Sequence, residues 1–457
     1  MRLRTIYNSL LAGAICIGVT GCASTGRRTF APAARPLGAQ YVSAGQDTHK
    51  AKDTVTSEPT DALLIKQALA LALLRNPGLE AFSHEVRVTE ALAIQARALP
   101  NPMIELEVEE YDRDGEGYNS SETVVALSQV LELGGKRRWR TRIAESKGEL
   151  AGWDYESKRL DVFTSTIQRF VDVIAAQRRV DLAKSSVELA EKTEQAVGER
   201  AKAGKEPPFQ VAKAAAELEM TRIGLSEAVN GLAVSRLKLA SMWGDTDPRF
   251  RTVQGDFDFI LEAIPPLRAL SSYLSRNPDL ARLDAELQLS MAGLSSQKAA
   301  RIPDIKAEIG FLSYEEDGTD ALAFGVKTGL PVFNRNSGNI AAAEHQLAKA
   351  KALRRGTEMA LSTRLAEAHA TLTAAQKKAE TLKSKVVPAI QKAFDAAHEG
   401  YRQGKFDFLD MLDAQRSLFE AKGALVDALS SYHAAIAEIQ RLTGTSIEEM
   451  TSQQRKE

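Results

Sequence analysis

The sequence predicts a mainly α-helical protein with a β-barrel portion, built as two tandem repeats that each combine long helices with one β-hairpin. Three observations carry this. Landmarks recur at a fixed shift: Asn76-Pro77 returns as Asn277-Pro278, Pro102 as Pro303, Gly204 as Gly404 and Gly244 as Gly444, the first two pairs 201 residues apart and the last two 200. That period is too long for a solenoid unit, so each half is a near-domain that completes itself against the other half or another subunit. Each half also holds one pair of runs with the two-residue period of strands, followed by very long helical stretches with heptad spacing.

Composition narrows the function classes. The 457 residues are 44% hydrophobic, 26% charged and only 6% aromatic, a globular balance that favours closely packed helices over bulky cores. A formal net charge of −1 supplies no basic field for nucleic acid, so no nucleic-acid partner is expected. No apolar window of about 18 residues occurs beyond the N-terminus, so no mature transmembrane helix is expected.

Taken in order, Met1-Arg-Leu-Arg4, the apolar stretch Leu10 to Val19 and the cleavage-type sequence Val19-Thr20-Gly21-Cys22 read as a signal peptide over 1–21. The Gly-Cys end resembles the lipobox of bacterial lipoproteins, which implies acylation of Cys22 and, with Ala23 next, sorting to the outer membrane. The competing reading is an ordinary signal with a coincidental Cys. Cys16 leaves with the signal, so no disulfide is expected. Residues 22–60 are rich in Ala, Pro, Ser, Thr and Gly and predict a lipidated, flexible segment.

The first repeat runs over 61–245. Asp61 to Leu99 is helical in pattern, with Leu64, Ala68, Leu71 and Leu74 at helical spacing, and Pro100-Asn101-Pro102 stops it. A hairpin over about 103–133 follows. In it Ile104, Leu106 and Val108 alternate with Glu105, Glu107 and Glu109, a loop spans Arg113 to Ser121, and Val124, Val125, Leu127 and Val130 return. After Gly134-Gly135 there is no proline until Pro207, which predicts one helix from 137 to about 203, roughly 100 Å long. Another helix begins near 207. A linker is expected at 246–266.

The second repeat, 267–445, mirrors the first. Its hairpin, about 304–333, has Ile305, Ala307, Ile309 and Phe311 alternating with Lys306, Glu308 and Gly310, a turn at Glu315 to Asp320, and Leu322, Phe324, Val326 and Leu330 in the return. Its long helix, 338 to about 402, should kink at Pro388. The last helix, from near 407, repeats Met411, Leu418, Leu425, Tyr432 and Ile439 at sevenfold spacing, matching Val211, Leu218, Leu225, Leu232 and Leu239. Small residues three positions on, such as Ala214, Ala228, Ala421 and Ala428, allow close coiled-coil packing. Residues 446–457 read as a polar tail.

The hairpins decide between a soluble coiled coil and something else. Isolated two-stranded hairpins are marginal in water, and four strands per chain do not close a barrel. Two pooled chains give eight strands and three give twelve, and strands of about ten residues match a bilayer. The apolar face would then meet lipid, while Glu105, Glu107, Lys306 and Glu308 line the lumen. The rival is a small soluble sheet.

Over 61–445 the chain resembles the TolC-like outer-membrane efflux proteins. The residues that carry the resemblance are the two Asn-Pro sites, Pro100-Asn101-Pro102, Leu330-Pro331-Val332-Phe333-Asn334 and the run Gly404-Lys-Phe-Asp-Phe-Leu-Asp-Met-Leu-Asp-Ala414. The resemblance implies a homotrimer with a 12-stranded outer-membrane barrel and a helical tunnel through the periplasm. It further implies an inner-membrane resistance-nodulation-division pump and a periplasmic adaptor as partners and a lipid-anchored place in the outer membrane; the sequence shows no phosphate loop, nucleophile elbow or paired acid, so no catalysis and no cofactor are expected. Leu131-Glu-Leu-Gly-Gly-Lys-Arg-Arg-Trp-Arg140 resembles the CzcC-like, heavy-metal branch, which implies divalent metal cations as cargo. Drugs, solvents or secreted proteins are the alternative cargo, and a periplasmic adaptor or scaffold lipoprotein is the alternative architecture.

The same resemblance places Asp410 and Asp413 in an acidic ring at the tunnel's periplasmic gate, with Tyr401 nearby. Physically, three copies of two carboxylates around a narrow axis favour cations. A plain helix N-terminus, with Asp407 and Asp410 complementing the dipole, explains the same residues. The first-half equivalents are Gln210 and Lys213, and Lys405-Phe406 stands where some relatives carry a latching arginine. Six scattered histidines, His49, His84, His345, His369, His398 and His433, lack metal-ligand spacing.

Overall fold

A computed structural model describes residues 29–33, 36–37, 58–109, 122–314 and 318–454. Cys22 and the loop Arg113 to Ser121 lie outside the described residues, as does most of the turn after Tyr314. The first repeat holds β1 (Ala62–Leu64), α1 (Ile65–Arg75), α2 (Pro77–Ala96), β2 (Met103–Glu109), β3 (Glu122–Leu131), α3 (Lys136–Lys202) and α4 (Pro208–Ala240). After β4 (Thr252–Gln254) and α5 (Leu267–Ser272), the second repeat holds α6 (Pro278–Ala299), β5 (Ile305–Tyr314), β6 (Thr319–Thr328), α7 (Ser337–Thr381), α8 (Val387–Arg402) and α9 (Phe408–Thr443), followed by α10 (Ile447–Gln454).

The Asn-Pro pairs explain why the helical pattern beginning at Asp61 is two helices rather than one. Asn76 caps α2 by accepting from Leu79 N (2.9 Å), and its Nδ2 donates to Met242 O (2.7 Å). Asn277 does the same for α6, accepting from Asp279 N (2.8 Å) and donating to Leu442 O (2.9 Å). Proline at the first helical position needs no N–H partner, so Asn-Pro starts a helix at each point while tying it to the end of its own repeat.

Helix α3 is a single 67-residue helix, as the proline-free stretch predicts. Its counterpart is broken at Leu382–Val386, where one π-helical turn joins α7 to α8. Pro388 lacks an N–H and its ring crowds the carbonyl four residues back, and the wider turn relieves both. The heptad positions of α9 face the core, with Met411, Leu418, Tyr432 and Ile439 all buried.

Three expectations need correction. Leu64 is not helical: β1 pairs in parallel with β4, Leu63 opposite Val253, so the presumed linker contributes a strand to a core with Trp243, Phe250 and Phe257. The tail is not simply polar, because α10 buries Ile447 and Met450 against Leu365, Leu372 and Ile439. The N-terminal segment is not a free tether where it is described. Phe30 lies on Gly148 and Gly152 of α3, at places where an added Cβ would come within 2.3 Å of Phe30 atoms. Leu37 O accepts from Arg159 (2.9 Å), whose guanidinium also forms a buried ion pair with Glu156 (2.8 Å).

The four long strands form one antiparallel sheet in the order β2-β3-β5-β6. Cross-strand register puts Ile104, Leu127, Ile309 and Phe324 in one row and Leu106, Val125, Phe311 and Leu322 in the next. This apolar face is open, with Ile104 78% and Phe324 77% exposed. The opposite face carries Glu105, Glu107, Lys306, Glu308 and Lys327 among small residues such as Ala126 and Gly310. Among the described residues β2 and β6 have no strand on their outer edges.

Candidate functional site: the helical tip and the barrel base

At the end of the helices far from the sheet, two turns come together: one joins α3 to α4, the other α8 to α9. Their shared core is Val197, Ala214, Tyr401, Phe408, Met411 and Leu412. Tyr401, 2% exposed, packs its ring on Phe408 with centroids 6.2 Å apart. Burial, then the negative charge of Glu206, pushes the Tyr401 phenol up to about 12, against the opposing pull of Arg200, so it is neutral at pH 7.

Arg200 was not singled out from the sequence, yet it joins the two repeats. Its guanidinium lies 4.8 Å from the Tyr401 ring centre, Nη1 donates to Tyr401 O (3.1 Å) and Nε donates to Glu206 Oε1 (3.0 Å). A signal was present in the duplication. Shifted by 200, Arg200 and Glu206 fall on Gly400 and Phe406. The first-repeat turn is closed by an ion pair, and the second by a ring seated on glycine, since a Cβ on Gly400 would meet Phe406 Cδ2 at 2.2 Å.

Asp410 and Asp413 are exposed and do not join that core. Asp410 forms a reciprocal cap with Asp407: Asp407 Oδ1 accepts from Asp410 N (2.9 Å), and Asp410 Oδ2 accepts from Asp407 N (3.4 Å). The dipole-complementing arrangement is therefore realised, and it leaves the Asp410 carboxylate at the surface. Arg416 lies one turn beyond Asp413 and bonds Glu217 of α4 (Nε to Oε1, 3.3 Å), which, with Asp413 adding to it, raises the guanidinium further above its usual range.

At the other end, the segment Leu131 to Arg140 is a built junction. Lys136 Nζ meets Asp304 Oδ1 (2.8 Å), which also accepts from Leu133 N (2.9 Å). Arg140 donates to Ala96 O (3.0 Å) and Ala98 O (2.9 Å) and pairs with Glu132 (3.1 Å). These cations fasten α3 to the end of α2 and the foot of β5. His433 bonds Phe257 O (2.9 Å) and His369 bonds Pro265 O (3.1 Å), both structural contacts. No helix among the described residues is long and apolar enough to cross a membrane.

A charged end turn, a long helical body and an amphipathic sheet whose edges are uncovered among the described residues describe one protomer of a channel, and comparison with known proteins agrees. The family model for outer membrane efflux protein matches residues 68–245 and 269–445, one match on each repeat. The chain is 33% identical over 423 residues, 92% of its own length and all of the other, to the cobalt-zinc-cadmium resistance protein CzcC of Cupriavidus metallidurans. It is 24% identical over 64% of its length, and 66% of the other's, to the nickel-cobalt-cadmium resistance protein NccC of Alcaligenes xylosoxydans xylosoxydans. In fold it is similar to the transmembrane channel protein CusC (TM-score 0.73, 17% identity, 90% of this chain and 97% of that one). It is also similar to the outer membrane protein VceC of Vibrio cholerae (TM-score 0.70, 19% identity, 84% and 96%). Both its repeats and its architecture being those of the TolC-like channels, the chain belongs to the outer membrane efflux protein family.

Proposed function

We propose that this chain, as a homotrimer, is the exit channel for divalent heavy-metal cations in a tripartite efflux system. An inner-membrane resistance-nodulation-division pump and a periplasmic adaptor would deliver the cargo. The channel class follows from the family: an outer-membrane efflux protein is a passive conduit and not an enzyme. The metal cargo rests on one observation, the 33% identity to CzcC over the whole of that protein. The test is complementation of a strain lacking its own metal-efflux channel. Growth restored on zinc, cobalt or cadmium supports the reading. Restored tolerance of toluene or antibiotics alone would replace it with the solvent or drug reading, for which the 23% identity to the toluene efflux protein TtgF of Pseudomonas putida is the precedent.

The gate is the tip. Asp410 and Asp413, exposed on α9, would ring the axis of a trimer, while Arg200 on Tyr401 holds the two turns of each chain together. With Asp410→Ala and Asp413→Ala, single-channel recordings should lose cation preference or divalent block; unchanged recordings would remove both residues from the gate.

Lipid attachment at Cys22 also fits the geometry. Phe30 sits at Gly148, 12 residues along α3 from Lys136 at the barrel base, about 18 Å on the helix rise. The eight residues from Cys22 to Phe30 span at most about 27 Å when extended, so an acylated Cys22 is within reach of the inner face of the membrane. Mass spectrometry of the mature N-terminus should find acyl chains that Cys22→Ala lacks.

A further inference from the structure

The polar face of the sheet has an order along the strands that the channel role alone does not require. The strands attach to helices at Met103, Leu131, Ile305 and Thr328, and to loops at their other ends. On this face the only cations among the described residues, Lys306 and Lys327, both stand near the helix end, directly opposite each other across β5 and β6. Like charges in directly opposed positions destabilise a sheet. Here they are bridged: Glu308 Oε2 lies 3.7 Å from Lys306 Nζ and 3.1 Å from Lys327 Nζ. Lys306 Nζ reaches on to Glu105 Oε2 (3.6 Å), passing over β3, where Ala126 and Ser128 are small and buried. The four side chains form a balanced chain of alternating sign from β2 to β6. Nearer the loops the same face carries Glu107, Glu109 and Glu122, with Glu109 directly opposite Glu122.

We propose that Glu105, Lys306, Glu308 and Lys327 of three chains form a charge-balanced ring where the helical tunnel enters the barrel, and that its lysines set the ion selectivity of the barrel lumen. The inference rests on the channel reading above. Twelve strands about 4.8 Å apart, tilted about 40°, close at a radius of roughly 12 Å. The charged heads then stand within about one Debye length of the axis at 0.1 M salt, close enough to act on a passing ion. Without the lysines each sheet would present five carboxylates and no cation, a surface that retains divalent cations. With them the entrance is neutral, and net negative charge begins only further out. A cation passes a region that does not hold it and then meets a field that draws it towards the exterior.

The test is single-channel recording of the full-length trimer in planar bilayers under a KCl gradient. It is run in the native chain and in an Asp410→Ala, Asp413→Ala background, so that the tip does not dominate. Lys306→Gln with Lys327→Gln should raise the K+ over Cl− permeability ratio several-fold and introduce block by added Zn2+, more strongly at low salt. Glu105→Gln with Glu308→Gln should move the ratio the opposite way. The full exchange Glu105→Lys, Lys306→Glu, Glu308→Lys and Lys327→Glu keeps the alternating signs and the balance, so it should retain native selectivity, which separates charge from folding. Ratios unchanged in both double variants overturn the ring while leaving the channel intact. A native trimer that opens no pore overturns the channel reading and the ring with it.

Discussion

Arg200 and Tyr401 show how much a single pair contributes at the tip. The guanidinium stacks on a buried ring and bonds the same residue's carbonyl, so it ties the end of α3 to the end of α8 across 201 residues of sequence. A partly desolvated cation–π contact is worth about 0.5–2 kcal/mol and a charged hydrogen bond about 1.5–3 kcal/mol. Arg200→Ala should therefore loosen the two turns and raise channel conductance, whereas Tyr401→Phe, which keeps the ring and the carbonyl, should leave it near native. Equal conductance in all three proteins would deny Arg200 a latching role. His433 makes a second residue-scale prediction. Burial holds its imidazole below the ordinary 6.5, against the pull of the Phe257 carbonyl, Asp256 and Asp258. The folded state thus binds fewer protons than the unfolded one in that window. Stability is full above about pH 6.5 and falls as pH drops from 6.5 through the lowered folded value. His433→Gln should flatten the fall in thermal midpoint between pH 7 and pH 5.

Among the elements, the Asn-Pro starts and the N-terminal strap give the sharpest tests. Asn277 is 0% exposed and satisfies both a helix N-terminus and the Leu442 carbonyl, while Asn76 makes the equivalent bonds from a half-buried site. Loss of a cap costs about 1 kcal/mol, and an orphaned buried carbonyl adds about 1–3 kcal/mol. Asn277→Ala should consequently lower the unfolding midpoint more than Asn76→Ala. Phe30→Ala removes a buried ring from the α2–α3 groove and should cost up to about 3–5 kcal/mol. Gly148→Leu blocks the same slot from the other side, and limited proteolysis should then cut the segment around Phe30. The longest elements are legible in the sequence. The long helix, the break near Pro388 and both hairpins follow from proline placement and local period, which are properties of neighbouring residues. The strap carried no such sign, because Phe30 stands in a Pro- and Ala-rich stretch and its partners Gly148 and Gly152 look like ordinary helix interior.

For the whole molecule, the sheet states which way it faces. An open apolar face, a charged opposite face and edges at β2 and β6 that no strand among the described residues covers suit neighbouring chains on both sides and lipid outside. In detergent the protein should run as a heat-modifiable trimer; a monomer under all conditions would contradict the shared barrel. Phe324→Lys on the apolar face should cost about 2–4 kcal/mol if it lies near the membrane midplane and reduce the trimer recovered from outer membranes. Ala323→Lys, one residue along and on the lumen side, should be tolerated. Equal recovery of the two variants would mean that the faces are assigned wrongly.

The sequence by itself determined the duplication, the long helices, the alternation of the strands and, through resemblance, the channel family. Each of these is written in spacing along the chain, and spacing survives without knowledge of the fold. Only the tertiary structure decided that β1 pairs with β4, that α10 packs back on the body, that Arg200 covers Tyr401 and that Lys306 bridges β3 to reach Glu105. The physical reason is common to all four. Three-residue strands, an eight-residue terminal helix and single cations carry too little periodicity to announce their partners, most of which lie tens to hundreds of residues away, so their roles exist only once the chain has folded back on itself.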